Sequence, residues 1–596
     1  MMPNTPRRQA HASWLPVAVA LLIAGLLAPA VTFAERLQVE PETSVVHEDR
    51  ALAAGRHFMI STANRYASEA GRAMIREGGS AVDAAIAAQL VLGLVEPQSS
   101  GLGGGAFIVH WNESSKSLTT YDGRETAPLS ARPDRFLKND GTTIAFETAV
   151  NSGLSIGAPG LVKLLEHAHR KHGKLPWAKL FEPAIKLAEE GFEVSRRLSF
   201  LLRWHGAEKF APAARAYFFD DGGSARRTGT LLKNPDYAAT LRAIVAGGAD
   251  ALYEGAVGEA IVAAARGAPN FASDITAADL ARYTVKERPA QCVPYRTYKV
   301  CGMGPPSSGG IAVSQILELL EPFDLGKGPA AAMSIRAMHL IAEAEKLAYA
   351  DRDRYLADPD FVPVPSAGLL DRVYLASRAK LIAPDAAMPR PPPGEPPGLD
   401  RGAFGWDATI ERTGTSHLSI VDADGNAVSM TTTIEGAFGS GVMAAGFLLN
   451  NELTDFSFAP ADKDGNPIAN RVEGGKRPRS TMAPTIVFDE NGEVFALVGS
   501  PGGGRIILYV VKALIGLIDW KLDAQAATAM TNFGSMGEAL ELEYGFGSLI
   551  DAIKLKTYGH DIDLDLMNSG LHIVVRRDGR LEGGADPRRE GIAIGE

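Results

Sequence analysis

The segment PRPPPGEPPG, residues 389–398, restricts the fold more than any other stretch of the chain. Proline at this density removes the backbone donors that a helix or a sheet ladder needs, and it fixes φ. The segment is therefore expected to be an exposed, extended linker, or more plainly a surface loop. Upstream of it, helical and strand-like blocks alternate. Residues 66–95 read as two Ala-rich helices broken at Gly78-Gly79, and 106–121 as a hairpin. Residues 160–191 read as helical with an interruption near Pro176, and 330–356 as a long amphipathic helix. Downstream the pattern changes to strands at 416–421, 427–434, 484–488 and 494–498. A helix is expected after Gly504, and a final strand pair at 571–582.

A chain of 596 residues is too long for one small core, so two lobes or one large layered unit is the expectation. A formal net charge of −10 leaves no basic excess for displacing counterions from phosphates, which argues against a nucleic-acid partner. At the N-terminus, Arg7 and Arg8 precede the apolar run WLPVAVALLIAGLL, and small residues follow to Ala34. That order predicts a signal peptide over 1–34, cut after Ala34 or Ala30. A retained anchor is the alternative, because the run is near the lower limit for a membrane span. With cleavage, the mature protein is exported, periplasmic or secreted, with no stable membrane insertion. The two cysteines, Cys292 and Cys301, lie in QCVPYRTYKVCGMG. Two short strands turning near Arg296-Thr297 would set them opposite each other, either as a disulfide or as two packed thiols. Two thiols without a nearby histidine pair fall short of a zinc site.

Gly153-Leu-Ser-Ile-Gly157 fits the G-x-S-x-G pattern of a serine nucleophile elbow, but no apolar strand leads into it. A glycine-rich turn before the next helix is the better reading. The cluster Gly499-Ser-Pro-Gly-Gly-Gly504 follows an apolar strand and precedes a helix. Its successive N–H groups suit an anion nest, and hence an oxyanion hole. The stretch GTSHLSIVDADGNAVSMTTT, from Gly414, reads as a hairpin turning at Asp422-Ala-Asp-Gly-Asn426. Thr415 is either an ordinary strand start or a residue of greater consequence. A threonine hydroxyl becomes a good nucleophile when its own α-amine is free to act as base, and that requires a cut before Thr415. Gly414 leaves the preceding carbonyl uncrowded.

From about residue 57 to the C-terminus the chain resembles the γ-glutamyltranspeptidase (glutathione hydrolase) family of N-terminal-nucleophile hydrolases. The resemblance is carried, in order, by ASEAGRAMIREGGSAVDAAIAA, VEPQSSGLGGGAF, YDGRETAP, GPPSSGG, AYADRDRYLADPDF, TSHLSIVDADGNAVSMTTT, LLNNELTDFS, KRPRSTMAPT, GSPGGGR and GGADPRREG. It implies an α+β fold, a four-layer αββα sandwich made as a precursor. Self-cleavage between Gly414 and Thr415 would give a large subunit, 35–414, and a small subunit, 415–596, that remain associated as a heterodimer. Thr415 would be the nucleophile, with Thr433 as the hydroxyl that orients it. Gly502 and Gly503 would supply the oxyanion hole. Arg124 would grip the substrate α-carboxylate, helped by Ser480 and Thr481. Glu452 and Asp455 would hold the α-ammonium. The acyl group would pass to water or to an amine acceptor, with no cofactor and no metal.

The chain departs from the family pattern at Glu435, where many members have an asparagine that contacts the substrate amino group. It also has Thr481 for a serine and Thr454 for an aspartate, and residues 458–475 lack the tyrosine some members use as a lid. Glu435 either adds to an ammonium site or signals another acyl group. The second case would make the chain an acylase of the same fold, acting on glutaryl-type side chains. A binding protein that kept the fold would have no use for a nucleophile with oxyanion donors.

Overall fold

The computed structural model describes residues 47–399, 404–409 and 411–596. The expected signal peptide and the start of the large subunit lie outside the described residues. Among the described residues no helix is long and apolar enough to cross a membrane.

Two seven-stranded antiparallel sheets form the centre. Edge to edge, the first runs Ile592–Gly595, Met59–Thr62, Thr415–Val421, Ala427–Thr433, Gly105–Asn112, Ser117–Gly123 and Lys286–Arg288. The second runs Ala53–Gly55, Arg580–Ala585, His572–Arg577, Val494–Gly499, Thr485–Phe488, Tyr298–Gly302 and Gln291–Tyr295. The helices Arg65–Arg76, Ala81–Val95 and Leu161–His172 pack with Ile60, Ile108, Leu418 and Met430 on the outer face of the first sheet. The helices Gly309–Leu320, Ile335–Tyr355 and Ile506–Ile518 share a core with Val300, Ile486 and Leu497 of the second. This is the expected αββα sandwich. Both sheets take strands from either side of Gly414.

The hairpin at 415–433 forms because Asp422 Oδ1 accepts the N–H groups of Asp424 (3.0 Å) and Asn426 (2.9 Å), closing a turn with Gly425 at φ 87°. Its alternation does not produce a wet face, however. Every residue of both strands is buried, since one face meets helices and the other meets the second sheet. The polar set on that inner face pairs internally. His417 Nδ1 meets Thr431 Oγ1 at 2.8 Å, and Ser419 Oγ donates to the His572 carbonyl at 2.9 Å.

Two expectations change. The helix Ile335–Tyr355 is not amphipathic, because His339, Glu343, Glu345, Lys346, Asp351 and Arg352 are all buried. The helix is packed between other elements and pairs its charges, as in Lys346–Glu343 at 2.8 Å. The proline segment is irregular, as expected, but it is not a free linker. Pro391 and Pro396 are buried. Gly394 N–H donates to Asp351 at 2.8 Å, and the Tyr355 hydroxyl donates to the Gly394 carbonyl at 2.6 Å. The long helix thus staples the segment down. Cys292 and Cys301 stand opposite each other in register and are joined by a disulfide.

Candidate active site

Thr415 is the first residue of its strand and lies opposite Thr433. The Gly414–Thr415 bond is intact in the structure. The Thr415 hydroxyl points to Thr433 Oγ1 at 3.4 Å, and the Thr433 hydroxyl donates to the Gly414 carbonyl at 2.8 Å. The Glu435 N–H donates to Thr433 Oγ1 at 2.7 Å, and Arg589 Nη1 donates to the Thr415 carbonyl at 3.2 Å. Antiparallel register therefore places a second hydroxyl between a hydroxyl and the carbonyl just upstream of it.

Thr415 and Thr433 line a small cavity, about 20 Å³, together with Arg124, Glu435, Glu452, Asp455, Ser480, Thr481 and Gly503. Glu411 and Arg412, just upstream of Gly414, border the same space. Arg124 follows the strand Ser117–Gly123 and is 1% exposed. Its guanidinium is fully engaged. It pairs with Glu452 and with Asp455 (2.5 Å), and donates to the carbonyls of Pro478 (3.2 Å) and Arg479 (2.8 Å). Burial opposes the charge on Arg124, but the Glu452 and Asp455 carboxylates more than offset this and hold its pKa above the ordinary value. The residues expected to take opposite ends of a zwitterion thus hold one another.

The pocket is crowded with acids. Burial raises Asp455 to about 6 and Glu125 to about 7. Glu435 and Glu452 are pushed well above the ordinary carboxylate range by burial and by neighbouring carboxylates. Glu125 and Glu452 share a side-chain hydrogen bond, which lowers Glu125 and raises Glu452 against the larger effect of burial on each.

The glycine turn sits beside the pocket, with Gly502 at φ 144° and Gly503 at φ 54°. A Cβ on Gly503 would lie 2.3 Å from the Arg412 carbonyl oxygen, so only glycine lets the upstream segment lie against the turn. Gly503 lines the cavity and Gly502 stands one residue behind it. In this uncleaved chain the Gly414 carbonyl is held by Thr433, not by the glycines. Thr481 Oγ1 donates to the Gly503 carbonyl at 2.7 Å, so here its hydroxyl fixes the turn. Ser480 Oγ accepts the Met482 N–H at 3.1 Å. Ser155, of the G-x-S-x-G match, is buried, and its hydroxyl donates to the carbonyls of Val150 (2.9 Å) and Ser152 (2.8 Å).

Among the described residues one group has metal-ligand character: His339, Glu343 and His560. Glu343 already accepts from Lys346 Nζ (2.8 Å) and the Met388 N–H (2.7 Å). The Lys346 ammonium supplies the positive charge there, and the cluster reads as a buried hydrogen-bond network.

Sequence reasoning assigned no role to Glu125, Asn451, Arg479, Glu411 or Arg589, although all except Glu411 lie within stretches that carry the resemblance. Glu411 pairs with Arg352 and with Arg479 (3.4 Å). Burial opposes its charge, yet these arginines hold it below the ordinary carboxylate range. Such pairing across long sequence distances has no local signature.

A sequence profile described as gamma-glutamyltranspeptidase matches residues 67–596. The glutathione hydrolase proenzyme of Bacillus subtilis (strain 168) is 34% identical over 594 residues, covering 98% of either chain. That of Escherichia coli (strain K12) is 37% identical over 590 residues, covering 96% of this chain and 97% of the relative. Among solved structures, the cephalosporin acylase from Bacillus halodurans superposes with a TM-score of 0.78 at 26% identity, covering 94% of this chain and 99% of that one.

Proposed function

The chain belongs to the gamma-glutamyltranspeptidase family, and from that premise we propose how its residues carry out self-cleavage and turnover. It is a threonine N-terminal-nucleophile enzyme of the γ-glutamyltransferase and glutathione hydrolase type. It cleaves γ-glutamyl amide bonds and passes the acyl group to water or to an amino acid or peptide amine.

The chain is made as a precursor. The Thr415 hydroxyl attacks the Gly414 carbonyl carbon and gives its proton to Thr433 Oγ1, while the Thr433 proton moves onto the carbonyl oxygen. The C–N bond then breaks, and the Thr415 nitrogen leaves as a free amine, taking a proton. An ester between Gly414 and Thr415 Oγ1 remains. Water adds to that ester, the oxygen of Thr415 departs with a proton, and Gly414 becomes a carboxylate. The products are the large subunit 35–414 and the small subunit 415–596. The observation that carries this reading is the Thr433 hydroxyl lying between the Thr415 hydroxyl and the Gly414 carbonyl.

In turnover the freed α-amine, ordinarily titrating near 7.7–8.0, is the base for the same residue's hydroxyl. The N–H groups of Gly502 and Gly503 stabilise the oxyanion once the upstream segment has gone. Substrate binding is an exchange of ion pairs. The α-carboxylate takes the place of Glu452 and Asp455 on Arg124, and the α-ammonium takes the place of Arg124 on those acids, with Glu435 beside them. Three ion pairs replace two, so no buried charge is left alone. Ser480 lies within the same pocket to complete the carboxylate site, while the Thr481 hydroxyl stays on the Gly503 carbonyl. The signal peptide over 1–34 directs export to the periplasm or beyond.

The likeness to the cephalosporin acylase favours a second reading, an acylase for glutaryl-type groups. The crowd of carboxylates around one arginine opposes it, because a glutaryl group brings a carboxylate and no ammonium. A γ-glutamyl anilide should be preferred over a glutaryl anilide by at least about 10-fold in kcat/KM, the worth of ~1.4 kcal/mol. Preference for the glutaryl compound would establish the acylase reading in its place.

A further inference from the structure

Glu435 has a backbone conformation that its side chain alone does not explain. It lies at φ 74°, in the left-handed region, and it is 4% exposed. A glutamate is rarely found there, and such outliers persist where surrounding contacts fix them. Here the contacts all converge on the junction at Gly414. The Glu435 N–H donates to Thr433 Oγ1, the atom that bridges the Thr415 hydroxyl and the Gly414 carbonyl. Its Oε1 accepts the backbone N–H of Arg412 at 3.2 Å, and its Oε2 accepts from Asn451 Nδ2. Asn451 in turn takes the Gly436 N–H at 2.9 Å, locking the turn from the other side. A Cβ on Gly414 would lie 2.2 Å from the Glu435 carbonyl oxygen, so the residue before the cut lies flat on Glu435.

We propose that Glu435 is a positioning residue for the self-cleavage: its carboxyl clamps the backbone at Arg412, and its amide aims Thr433 at the Gly414 carbonyl. This rests on the self-cleavage reading above and adds a second role for a residue whose expected place was in the substrate pocket. The hydrogen bond of the clamp runs to the Arg412 backbone N–H, while the guanidinium, 4.8 Å from the Phe146 ring centroid and 2.5 Å from Glu147, acts on the Glu435 carboxyl through its charge. Once the bond is cut and residues 411–414 withdraw, the carboxyl is released into the acyl pocket beside Glu452 and Asp455. One side chain thereby serves the precursor first and the mature site afterwards.

The test follows processing by the appearance of two bands after synthesis at constant pH. Glu435→Ala should slow cleavage about 10-fold, as expected for loss of a buried hydrogen bond that orients the reacting carbonyl. Glu435→Gln keeps an acceptor for the Arg412 N–H and should stay within about 3-fold of wild type. Arg412→Pro removes the N–H and should be slow like Glu435→Ala, whereas Arg412→Ala keeps it and should cleave clearly faster than Arg412→Pro. Introducing Arg412→Pro into Glu435→Ala should add little, since both remove the same contact. Wild-type cleavage by Glu435→Ala, or equal slowing by Arg412→Ala and Arg412→Pro, would overturn the clamp. Thr415→Ala is the control that separates the two ideas. If it is cut, the self-cleavage reading fails; if it stays intact while Glu435→Ala cleaves normally, only the clamp fails.

Discussion

Thr433 shows how much depends on single hydroxyls in this site. One oxygen receives the Glu435 N–H and the Thr415 hydroxyl and still donates to the Gly414 carbonyl. The family resemblance marks both Thr415 and Thr433 in the sequence, and the hairpin register sets them opposite each other. Glu125 and Asn451 were not legible, because nothing local marks a buried polar residue that faces a pocket assembled from distant segments. The acids give the site a pH dependence of known sign. Burial lifts Asp455 to about 6 and Glu125 to about 7. Only ionised carboxylates hold an ammonium, so acid pH removes the partner. The KM for a γ-glutamyl anilide should therefore climb as pH falls through about 6, where Asp455 takes up its proton. The glutaryl anilide, which has no ammonium, should show no such climb. A flat KM profile from pH 5 to 8 for the γ-glutamyl compound would mean that the acids are not its ammonium site.

At the scale of elements, the period of the pattern was a better guide than its polarity. Alternation over 415–433 located both strands, but the polar face does not meet water. In a sandwich the second sheet covers it, and Ser, Thr and His there satisfy one another. The helix Ile335–Tyr355 was placed correctly and its environment misjudged for the same reason. Its charged residues are paired inside the protein, and the pairing depends on other elements. The proline segment was legible as irregular backbone, but not as docked backbone, since Asp351 and Tyr355 reach it only in the fold. The Cys292–Cys301 bridge closes a loop of separation 9 between the last two strands of the second sheet. Replacing both cysteines by serine should cost about 2–3 kcal/mol of local stability, as constraint on the unfolded loop is lost. Faster hydrogen exchange confined to 291–302, with activity retained, is the expected signature. Exchange unchanged in those strands would show the bridge to be dispensable.

At the scale of the whole molecule, both sheets are built from residues on either side of Gly414. In the first sheet, Thr415–Val421 pairs with Met59–Thr62, and Ala427–Thr433 pairs with Gly105–Asn112. In the second, Thr485–Phe488 pairs with Tyr298–Gly302. A cut at 414 therefore separates the chain without separating the core, and the fragments should stay together until they are denatured. Glu411 and Arg412 line the same small cavity as Thr415, so on the proposed cleavage their withdrawal would enlarge it. The direct measurement is intact mass and N-terminal sequencing of the purified protein beside Thr415→Ala. Two fragments in the wild type, the smaller beginning at Thr415, with a single uncut chain in Thr415→Ala, are the predicted result. A wild-type protein that turns over γ-glutamyl anilide as one uncut chain would contradict the account.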